Sequence, residues 1–415
     1  MAEGGDTAGT VSQVQRTRDS KVLLICFLLI ASTVSWRHKA YFTGSIDIVV
    51  LLKGVLSLVG LILSASLLAR GSRFQLGTRS SWLLGLLLTA SFFGGWSSGS
   101  TFASIVLVAR IAMLAITVFL MLRTVEHETV IRSLVTVMLA FAMVSALSGA
   151  RSLGATGSRL GGGIPPCTPN ELAFLCAIPL IAIGWLAITR QTTNGRRDLV
   201  LVVSLFAIIW LTGSRTGLVA VILALVVMLL QVRRMSPSML ITVLMAVPAV
   251  VYVMASGVVS SFIDRGGSAN ISTLSQRTVA WNAALHLHKQ FWDTWFGGGL
   301  STKVIPVVAQ YRTSQILDSS WISALVQAGL VGIVLLGALA VLALLSATFT
   351  DRPQRLLWTG LLVFLLVRSY LESGLIDSSP AFIVFFAVST LVEKGSRRQV
   401  RPADRARRQL APITA

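Results

Sequence analysis

The chain has 415 residues, of which 54% are hydrophobic and only 12% charged, with a mean hydropathy of +0.79 and a formal net charge of +19. A soluble domain carries about 25% charged residues because it faces water on every side, so this composition excludes an ordinary soluble fold. Apolar runs approaching the ~20 residues that a ~30 Å hydrocarbon core requires recur along the chain. They lack the in-and-out alternation of barrel strands, and the expected fold is an all-α polytopic membrane protein.

In chain order, residues 1–20 are polar and read as a cytoplasmic tail. No small-residue cleavage site follows the first apolar run, which is therefore expected to be retained as a helix. Candidate spans cover 22–36, 46–69, 82–96, 102–122, 134–147, 171–188, 199–211, 217–230, 239–259, 321–345, 356–367 and 381–392. They predict about twelve transmembrane helices in a single domain over 21–392. A basic cytoplasmic tail, 393–415, follows.

Lysine and arginine placement gives the orientation. With the N-terminus inside, cytoplasmic segments hold Arg70, Arg73 and Arg79, then Arg190, Arg196 and Arg197, then Arg352 and Arg355, and the tail is richer still. The short external loops hold far fewer. Both termini are thus expected in the cytoplasm of a plasma membrane, and the basic excess is explained by anionic lipid head groups rather than nucleic acid. Cys26, Cys167 and Cys176 have no paired spacing, and His127, His286 and His288 have no evident partner set, so neither a disulfide framework nor a metal site is expected. Gly161-Gly162-Gly163 lacks the Lys-Ser/Thr of a phosphate-binding loop.

The longest hydrophilic stretch, 260–320, falls outside the membrane between the ninth and tenth spans. A connection of that length is expected to be functional or separately folded. Within it, Leu274, Trp281, Leu285 and Trp292 fall at helical spacing and predict one amphipathic helix over 274–292. Three arginines run against the positive-inside trend: Arg159 in a Gly-rich loop, Arg215 in a tight turn between apolar helices, and Arg277 at the start of the amphipathic segment. Each alone reads as a snorkelling side chain. Together, beside glycines and helix starts, they compete as an anion site, because guanidinium groups bind phosphate oxygens bidentately.

These segments, in this order, resemble the O-antigen ligase and O-antigen polymerase superfamily of bacterial envelope glycosyltransferases. The likeness rests on Arg159 with the Gly-rich turn leading to Pro169-Asn170-Glu-Leu-Ala173, and on Gly213-Ser-Arg-Thr-Gly217. It continues through Arg277-Thr-Val-Ala-Trp281 to Trp295-Phe-Gly-Gly-Gly299, then Asp318-Ser319 and Gly329-Leu-Val-Gly332. The resemblance implies a GT-C-like helical membrane fold. It also implies metal-independent transfer, with no cofactor, from an undecaprenyl-pyrophosphate-linked oligosaccharide donor to a glycan or lipid acceptor hydroxyl at the outer face. On it, Arg215 and Arg277 take catalytic and pyrophosphate-binding positions, Arg159, Asn170 and Trp281 are substrate-binding, and Asp318 is catalytic. Ligases of this superfamily usually have histidine where this chain has Asp318, which leaves polymerase-type transfer at least as compatible as ligation. Asp318 reads either as the base for the acceptor hydroxyl or as the N-cap of the next helix, with the cap favoured. Glu372 and Asp377, in the loop before the last span, are spare carboxylates that could supply the base instead, with solvated loop acids the favoured reading. A transporter or flippase of lipid-linked sugars, and a non-catalytic envelope-assembly partner, are the alternative functions.

Overall fold

A computed structural model describes residues 6–37, 47–69, 71, 74–154, 159–189, 195–232, 277–286, 290–306, 314–393 and 398–399. The described chain is mostly helical: α1 (Asp6–Thr33), α2 (Ile48–Leu68), α3 (Arg79–Ser97), α4 (Thr101–Thr124), α5 (His127–Gly149), α6 (Pro169–Ile188), α7 (Gly195–Leu211) and α8 (Arg215–Leu230) come first. Then follow α9 (Arg277–His286), α10 (Phe291–Phe296), α11 (Ser320–Thr348), α12 (Arg352–Leu371) and α13 (Pro380–Val392). Among the described residues, strand pairing is confined to two short antiparallel ribbons, β1 (Phe74–Gln75) with β4 (Arg398–Gln399), and β2 (Val304–Pro306) with β3 (Ser314–Ile316).

Eleven of the expected spans coincide with α1–α8 and α11–α13; the expected span at 239–259 lies outside the described residues. Among the described residues, α2, α4, α5, α6 and α11 are each long and apolar enough to cross a membrane, and α8 and α13 are shorter apolar helices. Lipid offers no partner to a bare backbone, so a Leu/Val/Ile/Ala-rich segment satisfies its own N–H and C=O groups by coiling into a helix. Polar residues start several of them. Asp47 accepts from the amides of Val49 and Val50 ahead of α2, Thr168 from Glu171 ahead of α6, Ser214 from Gly217 ahead of α8, and Ser379 from Phe382 ahead of α13. Pro169 and Pro380 take first-turn positions, where no amide hydrogen is needed.

Every residue of α13 is buried, so it forms the axis of the bundle, packed against α1, α3, α4, α11 and α12. By contrast α2 turns Leu51, Val55, Leu58 and Ile62 outward. A helix apolar all round belongs either in a core or against lipid, and these two take the two options.

One joint shapes the region outside the bundle core. α11 is broken at Gly329, whose φ of +67° and ψ of −160° suit glycine alone. The break frees backbone carbonyls, and the turn after α10 satisfies them: the amide of Gly298 donates to Val326 O at 2.8 Å and that of Gly299 to Gln327 O at 3.0 Å. Ser91 of α3 donates to the same Gln327 carbonyl at 3.0 Å. The Gly-Gly-Gly and Gly-Leu-Val-Gly segments of the sequence are thus two halves of one joint.

The expected helix over 274–292 is replaced, within the described residues, by two helices, α9 and α10, with Gln290 in an extended conformation before the second. α9 buries Ala280 and Ala284, while Leu285 and Trp292 stay exposed. Small residues four apart let α9 sit close to β2 and α11, which outweighs burial of the larger apolar side chains.

Candidate functional site

At the end of the bundle where α1 stops and α2, α6 and α13 begin, a cavity of about 420 Å³ opens. Its wall carries cations (Arg37, Lys53, Arg110, Lys303, Arg368) and carboxylates (Asp47, Glu171, Asp318, Glu372, Asp377) in equal number. For a cavity set among apolar helices this charge density is unusual, since ionisable groups near hydrocarbon are costly unless paired or functional.

Built from the residues upward, the centre is Glu372. It is the residue after α12, at the C-cap position, where the chain leaves the helix in extended form. Its Oε1 accepts from Arg277 Nη2 at 2.6 Å and from Asn170 Nδ2 at 2.6 Å. Asn170 Oδ1 in turn accepts from Arg159 Nη2 at 2.8 Å, and Arg159 Nε donates to Thr212 O at 2.7 Å, in the turn that precedes Arg215. On the other side Arg277 Nε lies 3.5 Å from Asp318 Oδ2. A continuous polar run therefore connects Thr212, Arg159, Asn170, Glu372, Arg277 and Asp318, drawn from segments more than a hundred residues apart.

Local folding explains the placement. Arg277 opens α9 and Asn170 lies in the first turn of α6, so both side chains leave helix N-termini near one another. Ser320 fixes the start of α11 to the loop after α12, donating to Glu372 O at 3.0 Å and accepting from the amide of Leu375. Trp321 Nε1 adds a bond to Ser369 Oγ at 3.0 Å. These contacts hold the Asp318 and Glu372 backbones in register, a requirement for any site that must be accurate to a fraction of an ångström.

Of the residues singled out from sequence, Asn170 and Asp318 line the cavity, and Arg159 and Arg277 reach lining groups through Asn170 and Glu372. Arg215 is the first residue of α8, half-buried, one turn of chain from Thr212, and does not line the cavity; Trp281 packs edge-on against Tyr370 with centroids 5.3 Å apart. Two expectations are corrected. The N-cap of α11 is Ser319, and Asp318 precedes it without bonding the helix, turned instead to Arg277. Glu372 and Asp377 are buried, not solvated loop acids: the first pairs with Arg277, the second with Lys303 at 2.8 Å. Lys53 and Arg110, two charges set inside the apolar helices α2 and α4, also line the cavity.

Charge pairing divides the cavity. Arg37 takes Asp47 at 2.7 Å, Lys303 takes Asp377, and Arg277 takes Glu372 and Asp318. Among the described residues this leaves Lys53, Arg110 and Arg368 with no carboxylate in ion-pair reach, against Glu171, whose Oε1 accepts from the amide of Ser35 at 2.9 Å. Arg368 lies over the Phe174 ring, 4.9 Å from its centroid. Asp318 is pushed above the usual carboxylate range by burial and by the neighbouring Glu372, with Arg277 pulling the other way. Asp47 is held below that range, chiefly by the amide of Val50. Among the described residues no group of three or more His, Cys, Asp or Glu side chains is placed to hold a metal.

Chemically, the arrangement offers a carboxylate of raised basicity beside a guanidinium, in a cavity that also bears unpaired cations. That combination suits a proton acceptor acting next to an anionic leaving group. Residues 199–337, which include Arg215, Arg277 and Asp318, match the family model described as O-antigen ligase. The match supports a relation of that stretch to the O-antigen ligase and polymerase family and, with it, transfer or ligation of glycans in general as the class of activity. No curated protein matches the chain.

Proposed function

We propose that this multi-pass membrane protein of the O-antigen ligase and polymerase family transfers a glycan, or extends one, from an undecaprenyl-pyrophosphate-linked donor to an acceptor hydroxyl. The reaction takes place at the outer face of the plasma membrane, with both termini in the cytoplasm and about twelve spans around a GT-C-like core. The observation that carries this reading is the Asp318–Arg277–Glu372 triad at the cavity. Its two contacts are unequal: 2.6 Å from Arg277 to Glu372, 3.5 Å to Asp318. Glu372 is the anchor and Asp318 the loose partner.

A donor pyrophosphate entering beside Arg277 would replace the weak Asp318 contact and keep the strong Glu372 one. A guanidinium carries five N–H donors, and Glu372 occupies Nη2. Asp318, released, accepts the proton of the acceptor hydroxyl as its oxygen bonds to the anomeric carbon. The bond from that carbon to the pyrophosphate oxygen breaks, and the electron pair leaves with the pyrophosphate. Arg277 neutralises the charge that develops there, the part a metal plays elsewhere, so the scheme needs no metal. Arg159 and Asn170 hold Glu372 in place, and Trp281 offers an aromatic face to a sugar.

The test is turnover of a lipid-linked glycan by the purified protein in nanodiscs, which also separates catalysis from carriage. Asp318→Asn keeps the shape and loses the proton acceptor, so turnover should fall by roughly two to four orders of magnitude with donor binding retained. Full turnover in Asp318→Asn would remove the base from this scheme.

A further inference from the structure

Two of the three unpaired cations gather on one wall, while the third, Arg368, lies on α12 over the Phe174 ring. Lys53 is on α2 and Arg110 on α4; α2 packs against α1 and α4, whereas α12, which delivers Glu372, packs against α6, α8, α11 and α13. Both cations sit within apolar helices, where a charge without a counter-ion is expensive. Among the described residues, no carboxylate lies within ion-pair distance of either.

Part of their placement has a plain cause. Lys53 Nζ donates to Val34 O at 2.7 Å and Arg110 Nη2 donates to Ser32 O, so both meet carbonyls at the C-terminal end of α1, the negative end of its dipole. A neutral donor would serve a carbonyl as well, without two like charges on one cavity wall. Capping also uses one donor of the three on an ammonium and one of the five on a guanidinium. Arg110 Nε is buried and has no hydrogen-bond partner among the described residues, a costly state for a polar group.

Resting on the transfer reading above, we propose that Lys53 and Arg110 form a second oxyanion subsite, apart from Arg277, which receives a phosphate or carboxylate carried by the acceptor glycan. A displacement at the anomeric carbon requires nucleophile and leaving group to approach from opposite sides. The pyrophosphate belongs with Arg277 on the α9 and α12 wall, and the acceptor therefore comes from the α2 and α4 wall. A surplus of positive charge there selects an acceptor bearing negative charge. The anion would complete the bonding of Arg110 and offset the like-charge repulsion between the two cations.

The experiment measures binding, so it does not depend on turnover. The full chain in nanodiscs is heated with glucose 6-phosphate, with glucose, or with inorganic pyrophosphate, all at matched ionic strength. Glucose 6-phosphate should raise the unfolding temperature and glucose should not. The half-saturating concentration should rise at least about tenfold in Lys53→Gln and in Arg110→Gln, the loss of about one charge-assisted bond. Arg277→Lys should leave it unchanged. Two results overturn the proposal. In one, both Gln variants unfold at lower temperature while responding to glucose 6-phosphate like the parent, which makes the cations caps of α1 and no more. In the other, the Gln variants lose the response to inorganic pyrophosphate while Arg277→Lys keeps it, which assigns this wall to the donor. Loss of transfer in Asp318→Asn, or its absence, bears on the reaction scheme and leaves both readouts untouched.

Discussion

Removing the Glu372 carboxylate tests the centre of the site. Its Oε1 is shared by Arg277 and Asn170, each at 2.6 Å, and the side chain is only 12% exposed. Hydrogen bonds to charged groups contribute roughly 1.5–3 kcal/mol, and stripping one partner from a buried ion pair costs roughly 3–5 kcal/mol. Arg277 retains Asp318 at 3.5 Å, so Glu372→Ala should fall at the lower end, about 3 kcal/mol. Glu372→Gln keeps an acceptor oxygen in place and should cost about 1 kcal/mol. Turnover should fall further than stability, since a guanidinium displaced by about 1 Å loses on the order of a hundredfold in rate. A pH profile adds a signed outcome. Glu372 helps to raise Asp318 above the usual carboxylate range, and a base must be ionised to act, so the acid limb of turnover sits above that range in the parent. With the Glu372 charge gone, Asp318 ionises more readily and the limb in Glu372→Gln moves to lower pH. The assays are thermal unfolding and pH-dependent turnover in nanodiscs. A Glu372→Ala protein that melts and turns over like the parent, or an acid limb that moves upward, would refute the network.

Two further substitutions test the frame. Gly329→Ala places a methyl group against the Trp295 backbone at a φ of +67°, so it should cost more than about 3 kcal/mol and yield little folded protein; a parent-like unfolding temperature would mean the α11 break is dispensable. Gly77→Ala acts at the opposite end of the bundle, where its methyl would displace Glu393 from the amides of Arg79 and Ser80, bonded at 2.7 and 3.1 Å. It should lower stability by about 1–2 kcal/mol, as loss of an N-terminal cap does, with turnover per folded molecule unchanged.

Much of the frame was legible because lipid leaves a polypeptide few options. Each apolar run in the described chain became a helix, and even the two shortest, 199–211 and 356–367, are parts of α7 and α12. The joint at Gly329 was visible only as glycine motifs, because sequence does not show that Gly298 and Gly299 bond the carbonyls freed at a break near thirty residues away. The amphipathic helix failed for a related reason. Spacing put Trp281, Leu285 and Trp292 on one apolar face, whereas the residues that α9 buries are Ala280 and Ala284.

The site divides along the same line. Arginines against the positive-inside trend are a signal carried by single positions, and Arg159 and Arg277 did prove to share a network. Their counter-charges carried no such mark. Glu372 lies in a loop read as external, where a solvated acid is the ordinary expectation, and only the fold brings Arg277 to it across 95 positions. For Asp318 the sequence Asp-Ser-Ser before a helix satisfies capping three ways, so a carboxylate turned elsewhere is indistinguishable from a cap until the helix start is known. Lys53 and Arg110 were the reverse: a charge inside an apolar run is among the strongest single-position signals a membrane sequence offers. Sequence does not show their convergence, which depends on α2 and α4 packing side by side. A site made from pairs is therefore read from sequence in halves, and the half that stands out is the one whose partner, or substrate, is absent from the same stretch of chain.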